Sequence, residues 1–123
     1  AVRWETPLQF VPRRATRDTE LGGVAIPAGA TVQVVIGAAN HDPVRWEDPE
    51  RFDLRRPYRS ALAFGHGVHM CIGMHLSKLE TEDLVRALLD SLPGLRLDPD
   101  CPPPTIEGTL MRSPARLNVV WDV

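Results

Sequence analysis

The sequence predicts an α+β fold in which short strands flank one long helix, and three patterns carry that prediction. β-branched residues stand between turn-forming residues in the stretch 24–36, as is typical of strands. Apolar residues recur at helical spacing from Leu76 to Leu92, which predicts an amphipathic helix. Apolar and polar residues alternate from Leu117 to Val123, as in a half-buried strand.

Composition narrows the class of protein before any motif is considered. A chain of 123 residues with 43% hydrophobic content can bury one modest core. A net charge of −2 argues against a general nucleic-acid binder. The longest apolar run, Val34 to Ala39, is far shorter than the ~20 residues of a membrane span. The chain opens on Ala1 as if cut from a longer protein, so the lack of a targeting signal is uninformative.

The predicted elements divide the chain into six stretches. They are a helix end at 1–5, a β-rich stretch at 6–40, a meander at 41–60, a cysteine loop at 61–73, a helix at 72–92 and a β region at 93–123. The helix end closes at Thr6-Pro7, because the residue before a proline avoids the helical region. Leu8 to Val11 is expected to be extended and to stop at Pro12.

Turn residues define the β-rich stretch that follows. Gly22-Gly23 and Pro27-Ala28-Gly29 are turn formers on either side of Val24–Ile26. We therefore predict a β-hairpin in which Val24–Ile26 pairs with a strand over Thr31–Ile36.

In the second half of the chain, longer irregular stretches of sequence separate the predicted elements. The meander has Trp46 and Phe52 as large anchors, and a loop of this length is usually functional or fixed by its neighbours. The long helix is expected to stop at Pro93-Gly94. Leu95–Leu97 predicts a short strand, and Leu117–Val123 predicts the half-buried one.

The cysteine loop is where the chemistry is predicted to lie. It runs from Phe64 to Gly73 as Phe-Gly-His-Gly-Val-His-Met-Cys-Ile-Gly. Glycines allow a positive φ or a close backbone approach. A cysteine at a helix N-terminus has its thiolate favoured by the helix dipole and by free N–H groups. Because a thiolate is a good ligand for a soft metal ion, Cys71 is predicted to bind a metal.

Other kinds of site compete for the same loop. Four potential metal ligands fall within ten residues: His66, His69, Cys71 and His75. A zinc site usually pairs its ligands across two turns, and no second cluster is present. A nucleophilic cysteine would need a histidine from elsewhere, and only His41 lies outside this segment. A dinucleotide-binding loop would need its third glycine closer than Gly73.

Taken whole, residues 64–73 match at all six fixed positions the haem-binding signature Phe-Gly-x-Gly-x-His-x-Cys-x-Gly of the cytochrome P-450 family, which the chain therefore resembles. Asp18, Gly22-Gly23 and Ile26–Gly29 resemble the family's hairpin after helix K, and Asp48–Phe52 resembles its meander motif. Arg3 fits the arginine of the Glu-x-x-Arg motif on helix K, whose glutamate would precede Ala1.

This resemblance implies the C-terminal, proximal portion of the mainly helical cytochrome P-450 fold, in the soluble bacterial branch. The parts implied are the end of helix K, a β-hairpin, the meander, the cysteine-ligand loop, helix L and C-terminal strands. No stretch resembles the family's distal, oxygen-activating helix. The remaining N-terminal part of the same enzyme is therefore an expected partner, the isolated piece is expected to be inactive, and the location is expected to be cytoplasmic.

The activity implied is that of a haem-thiolate monooxygenase containing haem b, which is iron protoporphyrin IX. Such an enzyme inserts one oxygen atom from O2 into a small, mainly hydrophobic organic substrate by hydroxylation or dealkylation. Its electrons come from NAD(P)H through a ferredoxin- or flavodoxin-type donor, and neither nucleic acid nor a membrane is an expected partner. Two alternatives stay open: a non-enzymatic zinc, haem or sensor module, and a peroxide-driven oxygenase on the same scaffold.

The resemblance also assigns roles to individual residues. Cys71 is the expected proximal iron ligand, and His69 and Arg13 are the expected partners of the haem propionates. The other residues expected at the cofactor are Phe64, Gly65, Gly67, Ile72 and Gly73. Expected substrate contacts are Gln9, Phe10, Val11, Leu110 and Met111. Arg3 and Arg51 are expected to be structural, and a redox-partner face is expected at Arg55, Arg56 and Arg59.

Overall fold

The computed structural model describes residues 1–123 and divides them into two compact units. The first unit comprises residues 1–63 and 109–112, and the second comprises residues 64–108 and 113–123. The first contains strands β1 (Phe10–Arg14), β2 (Thr19–Leu21), β3 (Val24–Ile26) and β4 (Thr31–Val35), followed by the short helix α1 (Ile36–Ala39). The second contains helix α2 (Met74–Ser91) and strands β5 (Arg96–Leu97), β6 (Ile106–Glu107), β7 (Ser113–Pro114) and β8 (Val119–Val120).

The predicted hairpin between Val24–Ile26 and Thr31–Ile36 is wrong. Strand β3 pairs instead with β2, in the antiparallel register Leu21 opposite Val24. The reason lies in the turn, because Gly22 and Gly23 both have positive φ, at 59° and 81°. Two such residues form the tight two-residue connection whose twist suits a hairpin. The predicted strand to Ile36 also ends one residue early, since Ile36 begins α1.

Strand β4 pairs with β1, and this corrects a second expectation. The pairing is antiparallel, with Phe10 opposite Val35 and Arg14 opposite Thr31. The extended stretch does not stop at Pro12, which lies within β1 opposite Gln33. A two-stranded sheet consists of edge strands only, and an edge tolerates a residue without an N–H donor.

A small polar centre holds the first unit together at Asn40. Its side-chain amide donates to the Thr6 hydroxyl at 2.8 Å, and its side-chain oxygen accepts the Leu62 N–H at 2.9 Å. Thr6 and Asn40 are buried, as are the apolar side chains of Ile36 and Trp46. Because buried polar groups need partners, this arrangement links the N-terminal turn, the end of α1 and the residues before the cysteine loop.

Ala1 to Glu5 forms a single hydrogen-bonded turn, as expected of the last turn of a helix. The Glu5 N–H donates to the Ala1 carbonyl oxygen at 3.1 Å. In the meander, the Trp46 N–H donates to the Asp42 carbonyl oxygen at 2.9 Å, which makes one helical turn. Phe52 packs edge-on against Trp4 at a ring separation of 5.4 Å.

The second unit is organised along α2, which begins at Met74 rather than at Ile72. The helix ends before Pro93-Gly94 as predicted, and Gly94 has a φ of +64°. The Asp122 N–H donates to the Pro93 carbonyl oxygen at 2.8 Å. Strands β5 and β8 pair with Arg96 opposite Val120, and β6 pairs with β7. The predicted terminal strand is thus shortened to Val119–Val120.

None of the helices combines the length and the apolar character needed to cross a membrane.

Candidate cofactor-ligand site

The cysteine loop is a compact turn closed by its own backbone. The Cys71 N–H donates to the Phe64 carbonyl oxygen at 2.8 Å. Within that closure, the Met70 N–H donates to the Gly67 carbonyl oxygen at 3.0 Å, and residues Gly67–His69 form one 3-10 turn. The two ends of the loop are therefore held side by side, and the position of Cys71 follows from main-chain bonds.

Two of the loop's glycines are required by the backbone. Gly65 has a φ of +79°, and a Cβ there would lie 2.5 Å from the His69 carbonyl oxygen. Gly67 has a φ of +60°, but a Cβ there would meet nothing within 4 Å. Gly65 therefore combines a left-handed conformation with a steric limit, whereas Gly67 has the conformation alone.

Cys71 carries an exposed, free thiol. Its carbonyl oxygen accepts the Met74 N–H at 3.2 Å. A Cβ on Gly73 would lie 3.9 Å from the Cys71 sulfur, so the backbone at Gly73 runs beside the thiol. The expectation that the helix begins at Ile72 is wrong, because residues 71–73 form a turn before α2. No backbone N–H donates to the sulfur within this chain.

The residues on either side of Cys71 in the sequence, Met70 and Ile72, are apolar. Val68, Met70 and Ile72 are exposed, and Ile72 makes almost no contact with the rest of the chain. Phe64 is half-buried, and the Lys78 ammonium lies 5.8 Å from its ring centre. A free cysteine sulfur flanked by apolar residues fits the soft donor and the apolar surface that haem requires.

The histidines near Cys71 do not gather around it. His66, His69 and His75 are all exposed. No group of three or more His, Cys, Asp or Glu side chains is placed to hold a metal ion. The ligand set that a tetrahedral zinc site needs is therefore not assembled.

The two segments predicted to contact substrate lie next to each other in the first unit. Leu8 and Met111 form an antiparallel bridge, and the Gln9 N–H donates to the Leu110 carbonyl oxygen at 2.9 Å. Leu110 and Met111 are exposed, and Phe10 and Val11 are half-buried. The Gln9 side chain, by contrast, is engaged locally, since its amide donates to the Thr6 carbonyl oxygen.

Arg13 lies on β1 with an exposed side chain, and its guanidinium donates to the Pro12 carbonyl oxygen at 2.8 Å. The side chain of the neighbouring Arg14 extends instead over Gly29. A Cβ added to Gly29 would lie 3.6 Å from a terminal nitrogen of Arg14. The two arginines therefore differ in direction. A role at a propionate remains a prediction for Arg13 and for His69.

Arg3 ties the N-terminal turn to the meander. Its guanidinium donates to the carbonyl oxygens of Asn40 at 2.7 Å and Pro49 at 3.0 Å, and lies 5.1 Å from the Trp46 ring centre. Burial lowers the pKa of Arg3, and the positive charge of Arg56 lowers it further. These contacts agree with a structural role for Arg3.

The sequence predicts a structural role for Arg51 and a surface role for Arg56, and the contacts in the structure are the reverse. The Arg51 side chain is exposed and makes no hydrogen bond or ion pair. Arg56 instead donates to three carbonyl oxygens of the meander, those of Glu47, Asp48 and Arg51. Sequence reasoning missed this role, because nothing in an arginine-rich stretch distinguishes the one that turns inward.

The remaining arginines of the expected partner face differ in how free they are. The Arg59 guanidinium donates to the Arg45 carbonyl oxygen at 3.1 Å. The Arg55 side chain is exposed and makes no bond within the chain. Arg55 is thus the one member of the predicted set of three that is fully available to a partner.

His41 was not expected to have a role outside the loop alternatives, and the structure gives it two partners. Its Nε2 lies 2.7 Å from the Trp4 carbonyl oxygen, and its Nδ1 lies 3.0 Å from a Glu50 carboxylate oxygen. The Trp4 indole N–H also donates to the Glu50 carbonyl oxygen at 2.7 Å. His41 thereby joins the N-terminal turn to the meander.

These elements define a class of protein: an α+β chain organised around a glycine-shaped loop that presents a free cysteine, as expected of haem-thiolate proteins. Residues 1–120 match the family model described as Cytochrome P450. The chain belongs to the cytochrome P450 family, which confirms the predicted family and fold class.

Individual relatives show how far the similarity extends. The chain is 46% identical over 99 residues to the 6-deoxyerythronolide B hydroxylase of Saccharopolyspora erythraea, a match that covers 80% of this chain. It is 47% identical over 98 residues to the cytochrome P450 monooxygenase PikC of Streptomyces venezuelae, with 79% of this chain covered. In each case the match takes in 24% of the relative, so the chain spans about a quarter of the length of these curated relatives.

The similarity holds in three dimensions as well. The crystal structure of CYP108D1 from Novosphingobium aromaticivorans superposes with a TM-score of 0.89 at 39% identity. The superposition covers 98% of this chain and 29% of that one. The expected C-terminal portion of a P-450 fold is thus matched by nearly the whole chain.

Proposed function

We propose that this chain is the haem-ligand region of a monooxygenase that inserts one oxygen atom from O2 into a small, mainly hydrophobic organic substrate. The observation that carries the proposal is the exposed, free thiol of Cys71 on a loop closed by main-chain bonds. Family membership over residues 1–120 supports it, as do relatives named hydroxylase and monooxygenase.

In this proposal Cys71 is the proximal ligand of haem b. When bound, the haem supplies the iron that activates O2, and a thiolate ligand donates electron density that favours cleavage of the O–O bond. The chain's contribution is to place that sulfur. The bond from the Cys71 N–H to the Phe64 carbonyl oxygen, and the close backbone approaches that Gly65 and Gly73 allow, fix its position.

The rest of the proposed cofactor contact follows from the same loop. The exposed Ile72 and the half-buried Phe64 offer apolar surface that limits the access of water. Gly67 adds no side chain, so nothing obstructs the loop there. His69 and Arg13 are exposed donors that we assign to the propionates, where charge-assisted hydrogen bonds are strong.

For the substrate, we assign the contacts to Phe10, Val11, Leu110 and Met111. These side chains are apolar, as in most small-molecule sites. Gln9 contributes by holding Leu110, because its backbone N–H donates to the Leu110 carbonyl oxygen, while its side-chain amide donates to the Thr6 carbonyl oxygen. Hydroxylation or dealkylation of a hydrophobic compound fits such a lining, in which Leu110 and Met111 are exposed within this chain.

Electrons are proposed to come from NAD(P)H by way of an acidic ferredoxin or flavodoxin in the cytoplasm. Basic side chains on a surface steer an acidic donor to it. Arg55 is exposed and without an internal partner, so we place it in the donor's docking face. Arg59 contributes in part, since one of its nitrogens is used by the meander.

The test of this function uses the full-length protein that carries the chain. Replacing Cys71→His is expected to abolish the long-wavelength absorbance band of the reduced, CO-bound protein, because that band reports thiolate ligation. Cys101→Ser is the matched control: this second cysteine is also free, with its thiol donating to Asp98 at 3.4 Å, and its replacement should leave the band intact. A band that survives Cys71→His contradicts the assignment.

A further inference from the structure

An ion pair joins two residues that lie 107 positions apart in the sequence. The Arg112 Nε donates to a Glu5 carboxylate oxygen at 3.0 Å. Both side chains are about one-third exposed, at 36% and 37%. They border a cavity of about 230 Å³ that is also lined by Trp4, Thr6, Gln9, Gly37, His41 and Glu50.

The pair secures a short strip, residues 109–112, to the first unit. The strip's other attachments are main-chain bonds: Arg112 N–H to the Pro7 carbonyl oxygen at 2.8 Å, and Gln9 N–H to the Leu110 carbonyl oxygen at 2.9 Å. No other side chain of the strip makes a hydrogen bond or an ion pair. The bond to Glu5 is therefore its one polar side-chain restraint.

The side chains at the centre of the strip are only partly covered within this chain. Leu110 and Met111 are 45% and 61% exposed. Their placement follows the backbone of the strip, and hence the few bonds that hold that backbone. Both side chains are partly exposed to solvent, which screens the Glu5–Arg112 attraction, so a pair of this kind adds little to global stability. Its effect is expected in the position of the strip.

We propose that Glu5 and Arg112 are positioning residues that set where Leu110 and Met111 stand beside Phe10 and Val11, and thereby which bulky ligands fit. The proposal rests on the proposed function, which assigns these four apolar side chains to the substrate. Small displacements of groups that touch a ligand change binding and orientation strongly. The ion pair thus acts through the strip and touches no ligand itself.

The experiment measures how tightly ligands of different size bind, and it does not depend on turnover. Imidazole and 4-phenylimidazole both bind a haem iron through nitrogen, and only the second extends an aromatic ring toward the substrate side. Dissociation constants for both are measured from the shift in haem absorbance in the full-length protein. The variants are Glu5→Gln, Arg112→Gln and the exchange of the two charges, Glu5→Arg with Arg112→Glu. Asp122→Asn, which removes the negative charge from the exposed Arg96–Asp122 ion pair, is the control.

Each single variant is expected to weaken 4-phenylimidazole binding roughly threefold while leaving imidazole within about twofold. The charge exchange should restore the ratio of the two dissociation constants, and Asp122→Asn should not change it. Leu110→Ala should alter the same ratio. Thermal melting of each variant confirms that it is folded before its ratio is interpreted.

Other outcomes overturn the proposal and show at which level it fails. An unchanged ratio in both single variants, with Leu110→Ala still altering it, overturns the positioning role alone. A ratio that the charge exchange does not restore also overturns it, since the pairing is then irrelevant. A ratio that Leu110→Ala leaves unchanged overturns the substrate assignment and the positioning role with it. A wild-type protein that binds neither azole overturns the haem-based function and everything built on it.

Discussion

Gly65 and Gly67 stand two residues apart in the same loop, and both adopt a positive φ, yet their surroundings differ. A Cβ at Gly65 would lie 2.5 Å from the His69 carbonyl oxygen, whereas one at Gly67 would meet nothing within 4 Å. The family signature treats both as fixed glycines. In the structure, Gly67 is required for its backbone conformation alone, whereas Gly65 is required also because a side chain would clash.

That difference predicts unequal costs for the same substitution. Gly67→Ala should destabilise the protein by about 1 kcal/mol, the cost of placing an ordinary residue in the left-handed region. Gly65→Ala should cost about 3 kcal/mol, because the loop must also open to relieve the clash. Chemical denaturation of the two variants and the wild type gives both values. Equal costs would show that the close approach at Gly65 is easily relieved.

At the scale of elements, the sequence patterns predicted the wrong strand pairing. Val24–Ile26 has a turn on either side, and nothing in its composition says which neighbour it joins. The left-handed conformation of both Gly22 and Gly23 decides for β2. Strand β4 is then free to pair with β1, a partner whose first residue lies 21 positions earlier in the chain.

Asn40 links several elements of the first unit, and its replacement tests that link. In Asn40→Ala the Leu62 N–H loses its acceptor and the Thr6 hydroxyl loses a donor. Leaving such groups unsatisfied should cost about 2 kcal/mol in the free energy of unfolding. Asn118→Ala is the control, because that side chain is exposed and makes no hydrogen bond. If the two variants melt alike, the buried network contributes little.

At the scale of the whole molecule, the meander arginines divide between structure and surface. Arg56 donates to three carbonyl oxygens, whereas Arg55 is free. A charge reversal of all three predicted partner residues would therefore confuse loss of folding with loss of docking. The single variant Arg55→Glu separates the two effects.

Arg55→Glu should slow reduction by an acidic ferredoxin or flavodoxin about threefold at low ionic strength, with no change in melting temperature. The difference should shrink as salt is added, because salt screens exposed charges. Stopped-flow reduction of the full-length protein measures both. The control is Arg17→Glu, another exposed arginine without a side-chain bond. A salt-independent rate equal to the wild type would rule out docking at Arg55.

The apolar stripe predicted on the long helix is real, but within this chain it is not covered. Leu76, Leu79, Val85, Leu88 and Leu89 are all exposed to a substantial degree. The periodicity of the sequence predicted the helix and its apolar face, because both follow from local spacing. Which surface covers that face is a property of the complete fold, and this chain matches only 24% of the length of such a relative.

The sequence by itself determined the family, the fold class, the long helix and the loop with Cys71. Each of these depends on residue type and spacing over short distances, where backbone conformation and helical periodicity act directly. Only the tertiary structure decided which strands pair, that Arg56 rather than Arg51 holds the meander, and that Glu5 meets Arg112. Those contacts join residues that are separated in the sequence. For each contact the chain offers several residues of the same type, such as the arginines of the meander. The choice is made by which arrangement satisfies the most buried and half-buried polar groups at once.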